Sequence, residues 1–140
     1  MFSSSIRRSQ FVALAAVAAA LVGCSSMMSP SPSVAIVEPA DGATVNSPFK
    51  VRFGVQGMAV AAAGDIVANS GHHHLLINLD ALPSGESVPF SERHLHFGKG
   101  QTEAEVTLAP GSYRLTAQFA NGAHQSYGKA MSQTIQVTVK

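Results

Sequence analysis

An all-β chain, folded as an immunoglobulin-like β-sandwich of about seven strands, is what this sequence predicts. Short apolar runs alternate with polar residues, Gly and Pro break the runs at regular intervals, and no stretch after the first residues carries a capped helical stripe. The first run, Ser33–Glu38, ends at Pro39-Ala40-Asp41-Gly42, whose residue types favour a turn. Residues 49–55 alternate Phe, Lys, Val, Arg and Phe, which buries one face and wets the other. Residues 58–70 are rich in Ala and Gly and read as a long loop with at most one helical turn. A strand follows over 73–79, and 81–91, with Pro83, Gly85 and Pro89, interrupts pairing. The remaining strands fall at His94–Phe97, 102–108, 113–119 and 134–139, with Pro110-Gly111-Ser112-Tyr113 as the turn and Tyr that open a late strand.

Residues 1–23 read as a lipoprotein signal peptide. Arg7 and Arg8 give a positive start, residues 11–22 are too short an apolar run for a permanent span, and Leu21-Val22-Gly23-Cys24 resembles a bacterial lipobox. In such a motif the chain is cut before the cysteine, whose thiol takes a diacylglyceryl group. Cys24 is the chain's one cysteine, so disulfide frameworks and thiolate metal sites are excluded. Residues 24–32, made of Ser, Pro and Met around the cysteine, read as a flexible tether, and 33–140 as a single domain. The expected location is the bacterial cell envelope, facing the periplasm, with the membrane as partner through the lipid on Cys24. Ser25 rather than Asp after the cysteine points to the outer membrane by analogy with enterobacterial sorting. Without Arg7 and Arg8, seven of the nine basic residues remain against eight acidic ones, a balance that argues against nucleic acid.

The chemistry is concentrated in histidine. Five of the six lie in Gly71-His72-His73-His74-Leu75-Leu76-Ile77 and His94-Leu95-His96-Phe97. Imidazole is the commonest protein ligand for zinc and copper. Strand parity places His73 on the face of Leu75 and Ile77, toward the core, and turns His72 and His74 outward; it turns His94 and His96 outward together. The expected metal ligands are therefore His72, His74, His94 and His96, with His124 closing the site from the turn signal Asn121-Gly122-Ala123, and the expected cofactor is copper or zinc. A two-residue turn at Lys99-Gly100 would set His96 opposite Glu103 and His94 opposite Glu105, making these carboxylates outer partners of the imidazoles. Met58 and Met131 read as core packing rather than soft ligands.

The two histidine motifs, with Gly98-Lys99-Gly100-Gln101-Thr102-Glu103, Leu108-Ala109-Pro110-Gly111 and the later His124, resemble a bacterial family of exported proteins and lipoproteins known as domain of unknown function 4399. The resemblance implies no activity. No Ser, Cys or paired-carboxylate constellation suggests nucleophilic catalysis, and no Gly-rich phosphate loop is present. The expected function is thus non-enzymatic: a lipid-anchored envelope domain binding metal through a histidine-rich face. The alternative is a structural or interaction lipoprotein that meets an envelope protein partner without metal.

Overall fold

The alternating runs become nine strands in a computed structural model, which describes residues 23–140. They are β1 (Ser33–Glu38), β2 (Ala43–Val45), β3 (Phe49–Gln56), β4 (Ala59–Val60), β5 (Ser70–Ile77), β6 (His94–Phe97), β7 (Glu103–Val106), β8 (Gly111–Ala120) and β9 (Ser132–Val139). Each of the seven expected strands is present, and β2 and β4 are short additions. The leader expected over 1–23 lies, through residue 22, outside the described residues; residues 23–32 are exposed and carry neither strand nor helix.

The strands form two sheets, β1-β3-β7 and β2-β9-β8-β5, and β5 also pairs with both β4 and β6. The sheets pack face to face. Val34, Ile36, Phe49, Val51, Phe53 and Val106 from the smaller sheet meet Leu75, Ile77, Leu115, Ala117, Phe119, Ile135 and Val137 from the larger. The period of two in β3 explains its half: Phe49, Val51 and Phe53 are buried while Lys50 and Arg52 are exposed. Each such side chain removed from water contributes about 1.5–3 kcal/mol.

One pairing differs from the sequence expectation. Chain segments β6 and β7 do not form a hairpin: β6 runs antiparallel to β5, with His96 opposite His74, whereas β7 crosses to the other sheet and runs antiparallel to β3, with Glu103 opposite Arg52 and Glu105 opposite Lys50. Burial alone could not separate the two. In a sandwich a residue keeps the same inward parity whichever sheet its strand joins, so Leu95, Phe97, Ala104 and Val106 satisfy either topology. Charge favours the crossover, because Lys50 Nζ lies 3.3 Å from Glu103 Oε1 across the β3–β7 pair.

Strand β5 is buried from end to end. Its inner face includes His73, stacked on Phe53 with ring centroids 4.8 Å apart and set edge-on to Phe119 at 5.0 Å. Neither ring nitrogen of His73 has a hydrogen-bond partner. Burial lowers its pKa from 6.5 to about 4, so the folded protein holds a neutral imidazole that the unfolded chain protonates below pH 6.5. Stability is therefore full above that pH, falls as the pH drops, and bottoms out below about 4, a loss on the order of 3 kcal/mol. His73→Phe, which keeps the stacking and removes two orphaned nitrogens, is expected to raise the unfolding midpoint at pH 7 and to flatten its decline between pH 6.5 and 4; denaturant titration at several pH values reads both effects.

Candidate functional site

The outer face of β5 carries His72 and His74, because parity sets them opposite to His73. They do not meet solvent: their exposures are 0% and 1%. Two loops close over them. Ala61 N–H donates to the Gly71 carbonyl, Ala63 N–H to that of Gly98 and Gly64 N–H to that of Gly122, so residues 57–69 wrap the open edge of β5 and the end of β6. The segment between β5 and β6 adds a second layer, held where Val88 N–H donates to the His124 carbonyl.

Four imidazoles converge under this cover. Antiparallel pairing with β5 brings His96 alongside His74, with ring centroids 5.1 Å apart. His124 enters from the turn after β8, where its left-handed backbone (φ 62) is held by Asn121, whose Oδ1 accepts from the Ala123 and Gln125 amides. The Nε2 atoms of His72 and His96 lie 3.1 Å apart, and those of His96 and His124 lie 3.0 Å apart. His72, His74 and His96 each offer a ligand atom within 4.8 Å of the others. Close approach depends on glycine at two places: a β-carbon at Gly98 would overlap the His96 ring, and one at Gly122 would overlap the Asp65 carbonyl.

The electrostatics favour the neutral form of His72, His74 and His96. Burial, then the neighbouring imidazoles His96, His124 and His73, lowers the pKa of His72 to about 4. Burial followed by His72, His96 and His124 takes His74 to about 3, with the Gln118 backbone pulling in the opposite direction. His96 is lowered by burial and by His124. Three of the buried nitrogens, His72 Nδ1 and both of His74, have no hydrogen-bond partner. The His96 Nε2 atom faces two other Nε2 atoms, yet one ring nitrogen makes one in-plane hydrogen bond, so protons alone leave the group unsatisfied. Lone pairs aimed at one small volume are what a cation needs.

Of the five expected ligands, the fold brings together His72, His74, His96 and His124. His94 stands apart, paired across to Leu76, with its Nδ1 2.8 Å from Ser91 Oγ and its pKa lowered by burial and by Arg93. Glu103 and Glu105 lie on β7 in the other sheet, so they are not outer partners of the histidines; the crossover carries them away. Met131 is buried in the core and Met58 packs against it. Phe90 is a neighbour that parity cannot find, since it belongs to an irregular Pro-containing loop. Its ring lies 5.1 Å from His96 and 5.2 Å from His124, and it is 69% exposed. The cluster therefore has a buried pair, His72 and His74, and an outer pair beneath an aromatic ring.

A family model described as "Domain of unknown function (DUF4399)" matches residues 51–140, a span that contains all of these residues. Comparison with curated proteins and with solved structures gives no match.

The tight fit at Gly98 gives a direct check on this geometry. Gly98→Ala should push the His96 ring out of the cluster while β6 stays paired to β5. In long-range imidazole nitrogen–proton spectra, the signals of His96, His72 and His124 should move and that of His73 should stay; an unmoved His96 would contradict the packing described.

Proposed function

The chain belongs to the DUF4399 family, whose description assigns no activity, and from the histidine site together with the lipobox-like Leu21-Val22-Gly23-Cys24 we propose that it is a lipid-anchored, non-enzymatic cell-envelope domain that binds copper or zinc. The observation that carries this reading is the convergence of imidazole nitrogens from three separate elements, with His72 Nδ1 and both nitrogens of His74 left without a hydrogen-bond partner. Nitrogens held about 2.0–2.1 Å from one metal ion sit about 3.3 Å from each other in a tetrahedron and about 2.9 Å between neighbours in a square. The spacings of 3.1 and 3.0 Å fall between the two, which suits Zn(II) or Cu(II) with nitrogen ligands. His72, His74, His96 and His124 are the proposed ligands. Cys24, exposed and free among the described residues, is the proposed lipid attachment point, and the domain then faces the periplasm, holding or handing on its ion.

Residues 25–140, prepared without a histidine tag, are expected to bind one equivalent of Cu(II) or Zn(II) by calorimetry. His72→Ala and His96→Ala should each weaken binding by more than the about 10–100-fold that loss of an outer partner costs. His94→Ala should leave affinity unchanged, since its ring bonds Ser91 outside the cluster. Protons compete with metal for neutral imidazole, and the pKa values of about 4 for His72 and about 3 for His74 shift that competition downward from 6.5. Affinity should therefore persist below about pH 6, where an exposed imidazole site weakens, and fall away toward about pH 4. A protein that takes up no metal under these conditions would leave the interaction reading, with an envelope protein as partner, in its place.

A further inference from the structure

The route by which the chain enters the sandwich fixes which end of the domain meets the anchor. Ser33 pairs with Gln56 at the far end of β3, and Pro32 packs against Gly57, where a β-carbon on the glycine would stand 3.0 Å from the Pro32 Cα. From Gly57 the chain passes at once into the covering loop, with Ala59 opposite Ser70 and Val60 opposite Gly71, next to His72. The tether and the histidine cluster thus share one end of the molecule. The opposite end holds Phe49, Val106 and the Ala109-Pro110-Gly111 turn.

That shared end also exposes apolar side chains. Among the described residues the large hydrophobics left in water are Met27, Met28, Val37, Ile66, Val67 and Phe90. Single exposed hydrophobics are ordinary, and Val37, on β1 of the smaller sheet, is one; the other five lie in the tether or around the histidine cluster. Ile66 and Val67, 74% and 60% exposed, follow Asp65, whose main chain packs on Gly122 beside the His124 turn. Phe90 lies over His124 itself. Met27 and Met28, 96% and 91% exposed, lie in the tether between Cys24 and the domain.

We infer that the histidine-bearing end of the sandwich rests on the phospholipid bilayer that holds the Cys24 anchor, with Ile66, Val67 and Phe90 entering the interface. This rests on the anchor reading above. Reach supports it: the segment from Cys24 to Pro32 extends at most about 30 Å and as a flexible coil spans roughly 17 Å, comparable to the about 13 Å radius of gyration of a domain this size. So short a link holds this end against the surface at a millimolar-scale effective concentration. Weak apolar insertion suffices under such tethering, and no basic patch is needed.

The chain has no tryptophan, so a single inserted one reports its own surroundings. The lipidated full-length product, carrying Ile66→Trp, Phe90→Trp or Ala109→Trp, is reconstituted into phosphatidylethanolamine–phosphatidylglycerol vesicles with and without brominated acyl chains. Blue-shifted, bromine-quenched emission at positions 66 and 90, with solvent-like, unquenched emission at 109, is the expected result. Solvent-like emission at 66 and 90, or equal quenching at 109, from a chain whose lipid is confirmed by mass spectrometry would overturn the orientation while leaving the anchor intact. Absence of lipid on Cys24 by mass spectrometry would overturn the anchor and the orientation together.

Discussion

Strand β5 is the constraint on which the rest of the molecule depends, because both of its faces are withdrawn from water. A strand at the middle of a two-sheet sandwich normally has one dry face and one wet one. Here the inner face packs His73, Leu75 and Ile77 against the smaller sheet, while the outer face is roofed by loops and by β4 and β6 at its edge. The alternation Gly71-His72-His73-His74-Leu75 then has a chemical consequence. The residues that a wet face would leave solvated become buried imidazoles, and their protonation is suppressed by the same cover that brings His96 and His124 to them.

The neighbours of His96 are set by the crossover between sheets. Had β6 and β7 formed a hairpin, β6 would have kept Glu103 and Glu105 beside its histidines and the cluster would have carried the Glu103 carboxylate next to His96. By joining β5 instead, β6 exchanges those charges for His74 as the neighbour of His96, and Glu103 takes Lys50 on the far side of the domain. The donor set is consequently neutral. That choice between sheets, more than any single side chain, determines the character of the site.

Much of this was legible in the chain. Strand positions followed from alternation and from Gly and Pro, and His94–Phe97 coincides in both descriptions because four residues of strict pattern lie between clear breaks. Parity correctly set His72 and His74 opposite to His73, and turn chemistry pointed to His124 as a residue able to close the site. What could not be read is long range. Parity says which residues share a face but not whether loops cover that face, so the outward histidines were expected at the surface and are buried. It also cannot choose between partners of equal inward pattern, so the Lys99-Gly100 hairpin satisfies the alternation as well as the crossover does. His94 shares the parity of His96, yet Ser91, three residues before it, offers its hydroxyl to the His94 ring. Phe90 belongs to a segment with no period at all, where the surroundings of a residue depend on the whole fold.

The cluster is also a cost that the fold carries without local return. Buried imidazole nitrogens without partners, at His72 and His74, are each worth about 1–3 kcal/mol against the folded state, and apolar residues at these positions would remove that penalty. Strain of this kind in a well-packed chain marks positions set by something other than stability. His73 obeys a different logic, since its ring sits against Phe53 and Phe119 in the core and is oriented away from the cluster by the strand itself. The contrast between neighbours one residue apart is informative. His96 and His124, from separate elements, meet the outer histidines of the triplet instead: His96 Nε2 lies 3.1 Å from that of His72 and 3.0 Å from that of His124, and His72, His74 and His96 form a group with the spacing a cation could use.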